Sequence, residues 1–192
     1  MATEIRIYYE GHGNLRPGFH AFLREIIERA RSVSCVVELI ATGGTPARDF
    51  GIAIRTHRNS WNILLLDSDA PDDGQLSKAL VARHGWDKSH EESIFWMVEM
   101  MESWFHADKD VLQKYYGGDF KVGALKANPN VEQISKQDLE DGLKAATRNT
   151  QKGKYHKTRH APYLLESIDP SRVKRAAPNC KKLFDAVLAK LA

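Results

Sequence analysis

The chain has 192 residues, of which 42% are hydrophobic and 28% charged. That balance suits a single domain, 1–192, with an elaborated end, and excludes wholesale disorder. No apolar run approaches 18 residues and the start of the chain lacks the basic and apolar stretches of a secretory signal, so the expectation is a soluble, cytoplasmic protein with no membrane partner.

The formal net charge of +3 hides an asymmetry. Residues 143–192 hold twelve Lys or Arg against three Asp or Glu, a net +9, which leaves the first 142 residues at −6. Such a division suits a protein that holds metal in one place and a polyanion in another, and it equally describes a solvated Lys/Arg surface. Cys35 and Cys180 lie far apart without metal-ligand spacing and read as two reduced, partly buried thiols.

Residues 4–9 (EIRIYY) alternate and are rich in β-branched and aromatic types, which predicts a first strand. It runs into a turn-forming cluster, Glu10-Gly11-His12-Gly13-Asn14. Residues 17–31 carry apolar side chains at helical spacing behind a proline, and 33–41 (VSCVVELIA) read as a second strand stopped by Gly43-Gly44. A helix is expected over 47–58. The continuous apolar run 62–66 (NILLL) has the pattern of a strand buried on both faces, and it ends at Asp67-Ser68-Asp69. Helices are expected over 76–84, 136–147, 161–168 and 178–191. Residues 93–107 read as a helix, or as a strand turning into one, and 151–160 (QKGKYHKTRH) as a basic loop.

Alternating strands and helices predict an α/β fold with a small parallel sheet flanked by helices and right-handed crossovers. The α/β core is placed at 1–92 and a mostly helical, basic C-terminal extension at 93–192. Sites in such folds gather beyond the carboxyl ends of the strands, where Glu10 and Asp67 both fall.

Asp67 and Asp69 are the sharpest feature. Two neighbouring carboxylates repel, and a divalent cation removes that penalty. A helix N-cap within a solvated acidic turn is the alternative. Glu10, followed by Gly-His-Gly, reads as a metal ligand or general acid/base, or as an ordinary turn residue. Glu99, Glu102 and His106 have the spacing of one helical stripe, which makes Glu102 a further metal-site carboxylate or part of a solvent face. Gly43-Gly44 with Arg48 reads as a weak phosphate nest or a plain turn. Lys154, His156, Lys157, Arg159 and His160, with Tyr155, form a basic loop suited to a phosphate backbone or to solvent.

The segments YYEGHGN at 8–14, TGG at 42–44, LLLDSDAPDDG at 64–74, MVEMMESWFHAD at 97–108 and GKYHKTRHAPYLLESIDPSRV at 153–173 resemble a bacterial Toprim-like family of unknown function, related to Toprim and OLD-type nucleases. The resemblance spans nearly the whole chain. It implies a Rossmann-like Toprim core, Mg²⁺ or Mn²⁺ as cofactor, and catalytic and metal-binding roles for Glu10, Asp67 and Asp69. It also implies nucleic acid as substrate, an ATPase partner encoded nearby, a role in anti-phage defence, and a homodimer as one assembly. Thr45 stands where the resemblance leads one to expect Arg, and the Glu10 loop has fewer Gly and no Asp. The expected function is a metal-dependent nuclease acting on DNA or RNA. The alternatives are a non-catalytic subunit binding nucleic acid or an ATPase, and a haloacid-dehalogenase-like phosphatase, which would leave Glu10 without a role.

Overall fold

The computed structural model describes residues 3–192. Strands β1 (Glu4–Tyr9), β2 (Val36–Ala41), β3 (Trp61–Asp67) and β4 (Ile94–Met97) form one parallel sheet in the order β2-β1-β3-β4. Successive side chains of a strand point to opposite faces, so a sheet covered on both sides needs continuous apolar runs. Ile7, Tyr9, Ile63, Leu65 and Met97 enter one core, and Tyr8, Leu64, Leu66 and Trp96 enter the other. Helices α1 (Arg16–Phe22) and α2 (Arg24–Ser32) cover the first face through Phe19, Phe22 and Ile26. Helices α3 (Pro46–Thr56) and α4 (Leu76–His84) cover the second through Phe50, Ala53 and Leu80.

The rest of the chain is helical: α5 (Glu102–Ala107), α6 (Lys109–Tyr116), α7 (Lys136–Thr147), α8 (Lys157–Ser167), α9 (Pro170–Ala176) and α10 (Pro178–Lys190). Their apolar residues, among them Trp104, Leu112, Leu143, Leu164 and Phe184, join the first core. The parallel sheet flanked by helices and the helical C-terminal part are therefore as the sequence predicts.

Several boundaries differ. The helix expected over 17–31 breaks at Leu23, whose φ of −92° and ψ of 16° leave the helical region. Residues 94–97 are the fourth strand, so the sheet reaches past residue 92 into the segment assigned to the extension. All four residues of β4 are buried, which removes the alternation that distinguishes a strand from a buried helix. The basic segment is only partly a loop, because α8 begins at Lys157.

From β1 the chain crosses to β2 on one side, and β3 then lies on the other. That reversal opens a crevice beyond the carboxyl ends of β1 and β3. Glu10 follows the last residue of β1 and Asp67 closes β3.

Candidate active site

The two strand ends are tied directly together. Glu10 Oε2 accepts the backbone N–H of Asp67 at 3.1 Å. Asp67 Oδ1 accepts the N–H of Met101 at 2.8 Å, which fixes its carboxylate against the start of α5. Lys157 Nζ then lies 3.2 Å from Asp67 Oδ2 and 3.5 Å from Glu102 Oε2. Glu102 is the first residue of α5, is 1% exposed, and accepts the Tyr155 hydroxyl on Oε1 at 2.8 Å. Its Oε2 is buried and lacks a hydrogen bond of ordinary geometry. Glu10, Asp67, Glu102 and Lys157 thus converge from β1, β3, α5 and α8.

Burial raises the pKa of Asp67 to about 6; Lys157 opposes the shift, while Glu102 and Glu10 add to it. Burial also raises Glu10, against the Asp67 N–H that stabilises its anion. Burial works against the Lys157 charge, but the Glu102 and Asp67 carboxylates outweigh it and hold its pKa above the ordinary lysine value. The chain has gathered carboxylates in a place that disfavours their charge, a pattern common at functional sites.

Asp69 sits at the rim, its Oδ1 2.5 Å from Lys136 Nζ at the start of α7. Asp69 and Glu99 both adopt left-handed backbones, with φ of 53° and 62°. Aspartate tolerates that region and glutamate does so less readily, so the paired turn carries local strain. Three contacts hold it: Asp69 N–H to Glu99 O at 3.1 Å, Glu99 N–H to Ser68 Oγ at 2.8 Å, and Lys136 N–H to Glu99 Oε2 at 2.9 Å. Glu99 is therefore a loop residue that caps α7, not part of a helical stripe with Glu102 and His106. His106 is buried in α5, and burial depresses its pKa to about 4.

A cleft of about 300 Å³ opens beside the cluster, lined by Glu10, His12, Asn14, Gly43, Gly44 and Lys157 among others. Gly43 has a φ of 57°, and its N–H is taken by Gly11 O at 2.9 Å. The Gly43-Gly44 turn thus braces the Glu10 loop instead of leaving that donor to a phosphate. Arg48 pairs with its neighbour Asp49 and is not among the residues lining the cleft. Lys154 is exposed and has no contact with the carboxylates among the described residues. His156 caps α8 and bonds Thr158 Oγ1 at 3.1 Å. Arg159 donates to Lys152 O at 2.8 Å. His160 is 2% exposed, with Nδ1 on Tyr116 Oη at 2.9 Å, so its place is in the core and not on a phosphate backbone. The inner side of α8 holds it there. Lys136 and Tyr155 complete the site; a lone lysine and a tyrosine at no motif spacing left no signal for either role.

Carboxylate oxygens are the donors a hard divalent cation takes, and the buried Glu102 Oε2 lacks a hydrogen bond, while Asp69 is turned to Lys136 at the rim. Lys157 supplies the countercharge in this conformation. Among the described residues no three acidic, His or Cys side chains are close enough to form a ready cage. A cation here would share Asp67 and Glu102 with the lysine.

Fold and site together define a parallel α/β protein with a carboxylate–lysine cluster at the carboxyl edge of its sheet. The chain belongs to the family described as a domain of unknown function (DUF4276), whose model matches residues 15–188. Glu10 lies just ahead of the matched span. No curated protein matches the sequence. Among solved structures, the chain is similar to the C-terminal region of the Burkholderia pseudomallei OLD protein, at 17% identity over 100% of both chains and a TM-score of 0.47. Among the described residues no helix is long and apolar enough to cross a membrane.

Proposed function

We propose that this protein is a metal-dependent nuclease acting on DNA or RNA, with its site at Glu10, Asp67, Asp69, Glu102 and Lys157. The observation that carries the reading is the meeting of Asp67 and Glu102 at Lys157, with Glu10 held on the Asp67 amide, at the switch point of the sheet. The resemblance to the Toprim-like pattern of strand-Glu and strand-DxD agrees with it.

Glu10, Asp67, Asp69 and Glu102 would hold Mg²⁺ or Mn²⁺, which when bound supplies a Lewis acid for the attacking water and for the phosphate. Glu10 Oε1, the oxygen that does not take the Asp67 amide, accepts a proton from the water; its raised pKa suits it to that exchange. Lys157 lines the cleft and presents positive charge to the phosphate as negative charge builds there. Tyr155 orients Glu102.

The test is cleavage of plasmid, single-stranded DNA and RNA by purified protein with Mg²⁺ or Mn²⁺. Cutting that is lost in Glu10→Ala and in Asp67→Ala supports the reading. Full cutting by an Asp67→Ala, Asp69→Ala double variant overturns it.

One observation favours a second reading, a non-catalytic subunit that binds nucleic acid or an ATPase. Lys157 already pairs with both buried carboxylates, as a permanent internal ion pair would. Absence of Mg²⁺ binding with retained nucleic-acid binding would select it.

A further inference from the structure

A second cleft, of about 550 Å³, lies at the same end of α8 and has no part in the carboxylate cluster. It is lined by Tyr115, Lys152, Arg159, His160 and Tyr163. Tyr115 and Tyr163 present near-parallel rings, with centroids 6.3 Å apart and planes 23° from one another. Tyr163 is 59% exposed, so its ring is open to a ligand. Lys152 Nζ lies 4.8 Å from the centre of the Tyr115 ring, and Arg159 shares the wall.

His160 lines the cleft from within α8. Its Nδ1 accepts the backbone N–H of His156 at 3.2 Å, so in the neutral ring the proton belongs on Nε2. That Nε2 is buried and lacks a hydrogen-bond partner. The Lys152 carbonyl beside it accepts from Arg159 at 2.8 Å and keeps a second lone pair for the ring.

We infer that this cleft is a stacking platform for single-stranded nucleic acid: the Tyr115 and Tyr163 rings take an unpaired base, and Lys152 and Arg159 face the phosphates. Aromatic faces between cations are what sequence-independent single-strand binding needs, and a base inside a duplex cannot reach them. Lys157 is three residues ahead of His160 on α8, so one strand crossing the start of that helix would pass from the platform to the carboxylates. The assignment rests on the nuclease reading for its purpose, but the binding does not require cutting.

The experiment is fluorescence anisotropy with labelled (dT)12, (U)12 and a 12-base-pair duplex, in EDTA, at two salt concentrations. The expected result is tighter binding of the single strands than of the duplex. Tyr163→Ala should weaken single-strand binding at least fivefold, consistent with the loss of one stacked base, while Tyr163→Phe retains it. Arg159→Gln should lower the slope of log affinity against log salt by about one. Preference between (dT)12 and (U)12 tells which sugar the cleft accepts. Equal affinity for duplex and single strand, or Tyr163→Ala binding like the parent, overturns the platform. Single-strand binding through Tyr163 with no cutting under Mg²⁺ would overturn the nuclease reading and leave the platform standing.

Discussion

Asp67 is held where its charge is unfavourable. A folded pKa of about 6 against 3.8 means that ionising it costs about 3 kcal/mol of stability above pH 6. The folded chain binds this proton more tightly than the unfolded chain does. Asp67 therefore favours the fold below pH 4, and that advantage fades as pH rises through 6. Asp67→Asn keeps the acceptor for Met101 N–H and removes the charge, so its melting temperature at pH 8 should exceed that of the parent by several degrees. The gap should close as pH falls to about 4, and melting curves of the pair at several pH values will show it. His106 acts oppositely on both proteins, since its depressed pKa erodes stability as pH falls from 6.5 to 4, and it cancels in the difference. Lys157 gives the complementary case. Lys157→Met leaves Asp67 and Glu102 without their cation, so this variant should melt below the parent at pH 8 and gain more from added Mg²⁺ in a thermal-shift titration.

The element that sets the site is α8, because it carries Lys157 to the sheet edge. Pro162 lies inside it and has no N–H, so the Thr158 carbonyl four residues earlier loses its helical partner. Asn14 Nδ2 donates to that carbonyl at 3.0 Å, which stitches the Glu10 loop to the helix. One turn further on, α8 packs on α1 at Gly18, where an added Cβ would stand 2.9 Å from Leu165 Cβ and 3.0 Å from Pro162 O. Neither a backbone oxygen nor a Cβ can swing aside, so Gly18→Ala must push the helices apart. The expected outcome is a loss of about 1–3 kcal/mol in denaturant unfolding, with cleavage falling further than Asn14→Ala, which removes only the stitch. The strained Ser68–Glu99 turn works similarly at the other strand end: Ser68→Ala removes the acceptor that holds Glu99 N–H and should lower activity more than stability.

On the scale of the molecule, the charge asymmetry has a partly internal meaning. Lys157 answers Asp67 and Glu102, Arg172 answers Asp108 and Asp110, and Lys174 answers Glu25, so cations of the last 50 residues meet acids of the earlier chain. Pairs at the surface add little stability, while Lys157 at the carboxylate cluster and Arg172 at Asp108 answer buried charge. The parallel sheet and the strand-end places of Glu10 and Asp67 were legible in the sequence, because apolar runs and the glycine and Asp-Ser-Asp stops are local signals. What escaped were features set by tertiary packing. β4 has no alternation to read, Glu99 looked helical until the left-handed turn appeared, and His160 was grouped with its basic neighbours although α8 turns it inward. Lys136 reaches Asp69 across 67 residues of chain, a distance no pattern in one sequence spans.

The proposed function requires the Glu10, Asp67, Asp69 and Glu102 carboxylates to form a cation site that Lys157 guards. Calorimetric titration of Mn²⁺ into the parent, Asp67→Ala and Lys157→Met at pH 8 tests it most directly. Expected are saturable binding by the parent, loss in Asp67→Ala, and tighter binding in Lys157→Met, where the cation no longer competes with an ammonium. Binding of equal strength in all three, or none in any, would contradict it.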